Sequence, residues 1–326
     1  MPHVASVLGP VETTALGRTL MHEHVFVLST EILQNYGGDW WDEEQRVADG
    51  VEKLKALAGR GIRTIVDPTV IGLGRYIPRV QIINQQVPEL NIIVATGLYT
   101  FDELPHYFAY RGPGTLLEGP ELLADMFIRD IREGIADTGV KAAFLKCVVE
   151  EKGLTPGVER VARAVAQTHR ETGVPITVHT NAAHHTGTIA LDLFEEEGVD
   201  LTKVVIGHSG DSNDLAYLRG LMDRGAVIGM DRFGLDMFNP TADRVATIVA
   251  LVAQGYADRM VLAHDAACFM DYFSGEVAQG LLDGAAPNWN FNHIPDQVLP
   301  ALLESGVSEQ DIDVMLVDNP RRYFSG

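Results

Sequence analysis

Six side chains in this sequence have the types and the placement to share metal ions. His22 and His24 lie in the segment LMHEHVF, His179 ends PITVH, His208 ends VVIGH, Asp265 follows VLAH, and Lys146 interrupts the apolar run AAFLKCV. Imidazole and carboxylate serve zinc, iron, manganese, cobalt and nickel alike, so the donor types indicate a divalent transition metal without choosing among them. Residues i and i+2 of a strand face one side, which predicts that the rings of His22 and His24 project together. A lone histidine after a strand is ordinarily incidental. Four at corresponding strand ends, joined by a carboxylate, are better explained by a shared cation than by neutral imidazoles packed without partners. Lys146 is the anomaly of the set. An ammonium in an apolar strand lowers its pKa or finds a partner, and Glu150 is the plainest partner. Its neighbour Cys147 must point the opposite way, so one of the two faces inward. Facing two metals without its proton, such a lysine can take up carbon dioxide and become a carbamate, an anionic two-oxygen bridge.

These residues need a frame that gathers them. Short, β-branched apolar runs occur at 20–27, 64–66, 92–96, 142–149, 176–179, 204–208, 226–230 and 260–264. Such runs suit strands buried on both faces of a parallel sheet. Between them lie stretches with apolar spacings of three and four, as at 42–60, 121–135, 157–172 and 242–254, which is the period of amphipathic helices. Eight rounds of strand and helix predict an α/β fold, a (β/α)8 TIM barrel with its active site at the C-terminal ends of the strands. An open doubly wound sheet is the competing architecture, but no G-x-G-x-x-G follows any of the strands. Residues 1–326 are expected to form one barrel domain, with the helical tail from 295 to 324 packed onto it.

The composition narrows the setting. There are 25 Lys+Arg against 45 Asp+Glu, a formal charge of −20, which leaves no counter-charge for nucleic acid or an anionic membrane. No apolar run is long enough for a membrane span. The first residues lack the basic and apolar regions of a signal peptide. Two cysteines, Cys147 and Cys268, cannot form a disulfide framework and show no CxxC context, so a cytoplasmic protein with inert thiols is expected.

The segment GRTLMHEHV (17–25) resembles the opening signature of the phosphotriesterase family within the amidohydrolase superfamily, and IVDPTVIGLGR (65–75) resembles its second signature. FLKC, VHTN, IGHSGD, GMDRFGLD and LAHD follow in the family's order, so the resemblance spans nearly the whole chain. VATGLY (94–99), GMDRFGLD and the long stretch after LAHD are similar to the phosphotriesterase-like lactonases. Ala263, Ala266 and Ala267 stand where several members of the family carry other side chains. The resemblance implies two divalent ions, zinc first, with iron, cobalt or manganese as alternatives. It implies that His22, His24 and Asp265 hold the more buried ion and His179 and His208 the more exposed one, bridged by a hydroxide and by Lys146 as N6-carboxylysine. Tyr99 would lie against the second ion and the substrate carbonyl, and Arg232 would flank the pocket mouth. Members of the family commonly form homodimers, to which the apolar Tyr36, Trp40 and Trp41 could contribute.

The activity so implied is opening of acyl-homoserine lactones and other γ- and δ-lactones by attack of the bridging hydroxide, with slower action on phosphotriesters. Tyr99 would stabilise the oxyanion and Asp265 would move the proton. Primary phosphotriesterase or carboxylesterase activity on the same metal site is the alternative. A mononuclear deaminase would also use an HxH pair, two later histidines and an aspartate, but has no need of Lys146. A non-enzymatic binding barrel is the third class. The mixed stretch 268–293 reads as a partly helical lid whose Phe269, Tyr272, Phe273, Leu281, Leu282, Trp289 and Phe291 wall a channel for an acyl chain, joined by Met237 and Phe238. Read alone, Tyr99 is equally a packing aromatic, and Arg232 forms an ion pair with Asp231 or Asp236. Glu23 is expected in a structural ion pair, and His264 is expected to turn away from the side of Asp265.

Overall fold

Among the described residues the path of the chain is marked by twelve short strands: β1 (His3–Ser6), β2 (Gly9–Glu12), β3 (Arg18–Leu20), β4 (His24–Val27), β5 (Ile62–Asp67), β6 (Asn91–Gly97), β7 (Phe144–Val149), β8 (Ile176–Thr180), β9 (Val204–Gly207), β10 (Val227–Met230), β11 (Met260–Leu262) and β12 (Ala267–Met270). The computed structural model describes residues 2–274 and 276–325, and the side chains at 39, 276–279 and 281 lie outside that description. Eight strands form a parallel sheet in the order β3, β5, β6, β7, β8, β9, β10, β11. The sheet curls until its edges meet, where Met21 N–H donates to Leu262 O at 3.1 Å and Asp265 N–H to His22 O at 3.0 Å. The result is a TIM barrel.

The helices between the strands fall where the period of three and four puts them, and their ends carry the expected stops. Glu43–Ala58 begins at Asp42, whose side chain accepts from Gln45 N–H. Pro156–Thr172 has Thr155 as its cap, proline in its first turn, and Gly173 in the left-handed region after its last, the asymmetry that such helix ends favour. Along β7 the side chains alternate. Leu145, Cys147 and Val149 join the core beneath the helices, while Phe144 joins the cluster inside the barrel. Lys146, two residues further on, faces inward as well, nearer the C-terminal rim. Val4, Leu16, Tyr323 and Phe324 complete the inner cluster, so the β1–β2 hairpin and the helical tail plug the N-terminal end.

One expected strand is divided. The run at 20–27 is not continuous: β3 belongs to the barrel, the chain steps across the seam at Met21–Glu23, and β4 leaves the sheet to pair in parallel with β12. The hydrogen bonds of Met21 to Leu262 in β11 and of His22 to Asp265 just beyond it accompany this step. An unbroken apolar run carries no sign of it.

Candidate active site

Six donors meet at the C-terminal rim. The nearest nitrogens of His22 and His24 stand 3.4 and 3.3 Å from Asp265 Oδ1, although the two rings do not ride on one strand. His208 Nε2 lies 2.9 Å from His179 Nδ1, and Lys146 Nζ lies 3.3 Å from His22 Nε2. His22, His24, Lys146, His179 and His208 are all nearly or wholly buried. Simple alternation does not aim all of them. His208 and Asp265 adopt left-handed backbone, with φ 64° and 56°, a conformation that costs energy for a side chain with a Cβ and that turns both groups into the pocket. The sequence offers no signal for these two turns.

Each imidazole is tied at its outer nitrogen. Asp231 binds His22 Nδ1 through Oδ2 at 3.0 Å and His208 Nδ1 through Oδ1 at 3.1 Å. His24 Nδ1 meets Thr69 Oγ1 at 2.7 Å, and Thr69 donates to Asp67. His179 Nε2 meets Glu150 Oε2 at 2.6 Å. Anchors of this kind fix ring orientation and tautomer in metal sites. With their outer N–H groups given to carboxylates, the inner nitrogens of His179 and His208 both carry lone pairs, and a cation satisfies the two at once. Among the described residues two groups of three donors, His22–His24–Asp265 and His22–His208–Asp231, are close enough to hold an ion. The first matches the inward-facing atoms and leaves Asp231 as an anchor. The donor set therefore fits a divalent metal.

The electrostatics agree. Burial lowers the pKa of His22 and brings His179 to about 4, and it holds His208 well below the ordinary range, so these rings are neutral. Burial also pulls His24 down, but hydrogen bonds to Asp265 and Asp67 outweigh it and raise the ring to about 9. That is a site calling for positive charge. Burial brings Lys146 down to about 8. Burial pushes Glu150 up, but hydrogen bonds from His179 and Asn181 outweigh it and lower its pKa to about 2.

Glu150 is therefore not the partner of Lys146, which lies against His22 instead. Arg232 pairs with neither Asp231 nor Asp236: its Nε donates to Asp265 Oδ2 and its Nη1 to Asp211 Oδ2, both at 3.0 Å. Asp231 is occupied by the histidines. Sequence reasoning missed that role, gave Glu150 the wrong partner, and passed over Asp67, Thr69 and Asp211. Two signals were present, since Val227, Gly229 and Asp231 share one face, as do Lys146 and Glu150. Tyr99 Oη sits 3.2 Å from His179 Nδ1, and burial with Asp265 nearby raises its pKa, so the hydroxyl remains a donor. Glu23 and His264 form a fully buried pair at 2.6 Å. Glu23 also accepts from the backbone N–H groups of His264 and Ala266, on either side of Asp265.

Above the donors opens a cavity of about 460 Å³, within the range of small-molecule sites. Tyr99, Arg232, Phe238 and Trp289 all line it, with Met237, Met270, Tyr272, Phe273 and Leu282. Phe269 does not; it packs on Trp40, Trp41 and Arg46. Phe291 is buried in the core, and the side chain of Leu281 lies outside the described residues. Trp40 and Trp41 thus have partners within the chain, while Tyr36 is exposed.

A sequence model of the phosphotriesterase family matches residues 2–324. A phosphotriesterase homology protein of Mycobacterium tuberculosis is 54% identical over 324 residues, covering 99% of this chain and 98% of that protein. An aryldialkylphosphatase of Saccharolobus solfataricus is 37% identical over 315 residues, with 97% of each covered. A solved structure described as the phosphotriesterase from Mycobacterium tuberculosis has a TM-score of 0.96 and 53% identity, covering 99% of this chain and 98% of that one.

Proposed function

The chain belongs to the phosphotriesterase family of hydrolases, and on that premise we propose that it is a binuclear metal-dependent lactonase with side activity on phosphotriesters. His22, His24 and Asp265 would hold one ion, His179 and His208 the other, and Lys146, as its carbamate, would join them. When bound, the ions polarise the carbonyl or phosphoryl oxygen of the substrate and make water acidic enough to react near neutral pH. The observation that carries the lactone reading is the junction of this donor set with an apolar wall, where Met270, Phe273 and Trp289 can receive an aliphatic tail.

The chain's own groups have distinct tasks. Tyr99, protonated and beside His179, donates to the oxyanion as it forms, a contribution that preorganised donors make at little reorganisation cost. Asp265 accepts the proton of the attacking water and returns it to the ring alkoxide as the acyl–oxygen bond breaks, leaving a hydroxy acid. Arg232 occupies Asp265 Oδ2, which leaves Oδ1 toward the histidines. Phe238 and Trp289 cover the substrate and limit water.

The name of the Saccharolobus relative favours a second reading, hydrolysis of aryl dialkyl phosphates as the main activity. The test is kcat/KM for γ- and δ-lactones with graded acyl tails, measured against a dialkyl aryl phosphate and an aryl ester, with elemental analysis of the same protein. Long-tailed lactones are expected to lead by at least about tenfold in kcat/KM, the quantity that expresses specificity, with about two equivalents of divalent metal bound. A lead for the phosphate would overturn the lactone reading and leave the family intact.

A further inference from the structure

Arg244, on the helix Thr241–Val252 behind the rim, is the largest fully buried side chain among the described residues. Its Nε donates to Asn239 O at 2.9 Å and its Nη2 to Asp211 Oδ1 at 2.7 Å, and its Nη1 has no partner among the described residues. A buried guanidinium satisfied this incompletely is costly. Packing does not call for it, because Ile248 and Leu251, one and two turns on, already fill the core from this helix.

The use of that charge lies in its partner. Asp211 gives Oδ1 to Arg244 and Oδ2 to Arg232 Nη1, and Arg232 Nε reaches Asp265 Oδ2. Charges of alternating sign thus run from the core to the pocket. Both oxygens of Asp211 are committed, so its carboxylate cannot swing without breaking a charge-assisted hydrogen bond. The loop that carries Asp211 is also pinned, since Asn239 donates to Gly210 O and to Asn213 Oδ1, both at 2.9 Å, and Thr247 donates to Asn213 Oδ1 at 2.9 Å.

We infer that Arg244 is a positioning residue, which locks Asp211 and through it fixes the direction in which Arg232 presents its guanidinium to Asp265 and the pocket. The kinetic consequence rests on the role proposed above for Arg232; the geometric one does not. Two measurements on the full-length, metal-loaded protein test it. With 15N-arginine labelling, the Nε–H signal of Arg232, identified by its loss in R232M, is expected to be protected from solvent exchange. In R244M its exchange should quicken by at least about tenfold, and R244K should restore part of the protection, because an ammonium reaches Asp211 only as a point charge. In kinetics, R244M should lower kcat/KM about tenfold in the parent but less than about twofold in an R232M background, the non-additivity of groups acting as one unit.

An unchanged Arg232 signal in folded R244M, or losses that simply add, would overturn the inference. If R244M does not fold, R244K takes its place in the cycle: its exchange should still quicken and its kcat/KM still fall, by less than about tenfold, and the kinetic loss should vanish in an R232M background, whereas an unchanged signal or an additive loss would overturn the inference. If no lactone is hydrolysed but the signal depends on Arg244, the proposed function falls and this inference stands. If lactones are hydrolysed and the signal ignores Arg244, only the inference falls.

Discussion

Asp231 lends one oxygen to a histidine of each half of the donor set, so a single buried carboxylate keeps His22 and His208 in register. Substituting Asn preserves its shape but sets an NH2 group against a ring N–H. D231N is expected to bind metal about 10–100-fold more weakly, the usual cost of losing such an anchor, with folding retained; competition against a chromophoric chelator measures it. At this scale the sequence displayed the donors but not what holds them. Histidine and aspartate at strand ends are visible as residue types. The left-handed turns at His208 and Asp265 are tertiary choices, and nothing in VVIGHSGD or VLAHD announces them. Arg232 shows the same limit, since its partners Asp211 and Asp265 are remote in sequence while the adjacent Asp231 is already taken.

Strand β10 brings Asp231 to its place and keeps room for it. A Cβ on Gly229 would stand 2.4 Å from Asp231 Oδ2, the atom that anchors His22. G229A is therefore expected to displace that carboxylate and lower bound metal by at least about half, with a smaller loss of stability of about 1–2 kcal/mol; elemental analysis beside thermal unfolding separates the two. The wall above the site is an element-scale feature too. Trp289 lines the cavity and its Nε1 donates to His264 O at 2.9 Å. W289A should raise KM for long-tailed lactones about tenfold and for short ones about twofold or less, a difference set by the lost apolar contact. Elements were the most legible level, because strand and helix periods survive in the sequence. The division at Met21–Glu23 was not, since the run is apolar on both sides of the break. Nor did the aromatics after Asp265 reveal their facing. Along β12, Met270 lines the cavity while its neighbour Phe269 turns to the tryptophans.

For the molecule as a whole, the donors tie together strands drawn from most of the chain, so an ion held there binds the folded state alone. Ligand present at a thousand times its Kd stabilises by about 4 kcal/mol. Chelation is expected to lower Tm by roughly 5–10 °C for a chain of this size, and added zinc to restore it, as calorimetry would show. A net charge of −20 fits a protein that attracts cations and repels polyanions, and no helix among the described residues is long and apolar enough to cross a membrane. The barrel seam also sets a timetable. Glu23 and His264, 241 positions apart, clasp across it, beside imidazoles made early and a carboxylate made late. Synthesis on the ribosome proceeds from one side of that clasp to the other, and long-range closure of this kind comes late in folding. Capture of an ion at full strength would have to wait for residue 265, so a nascent chain stalled short of that residue lacks one of the donors.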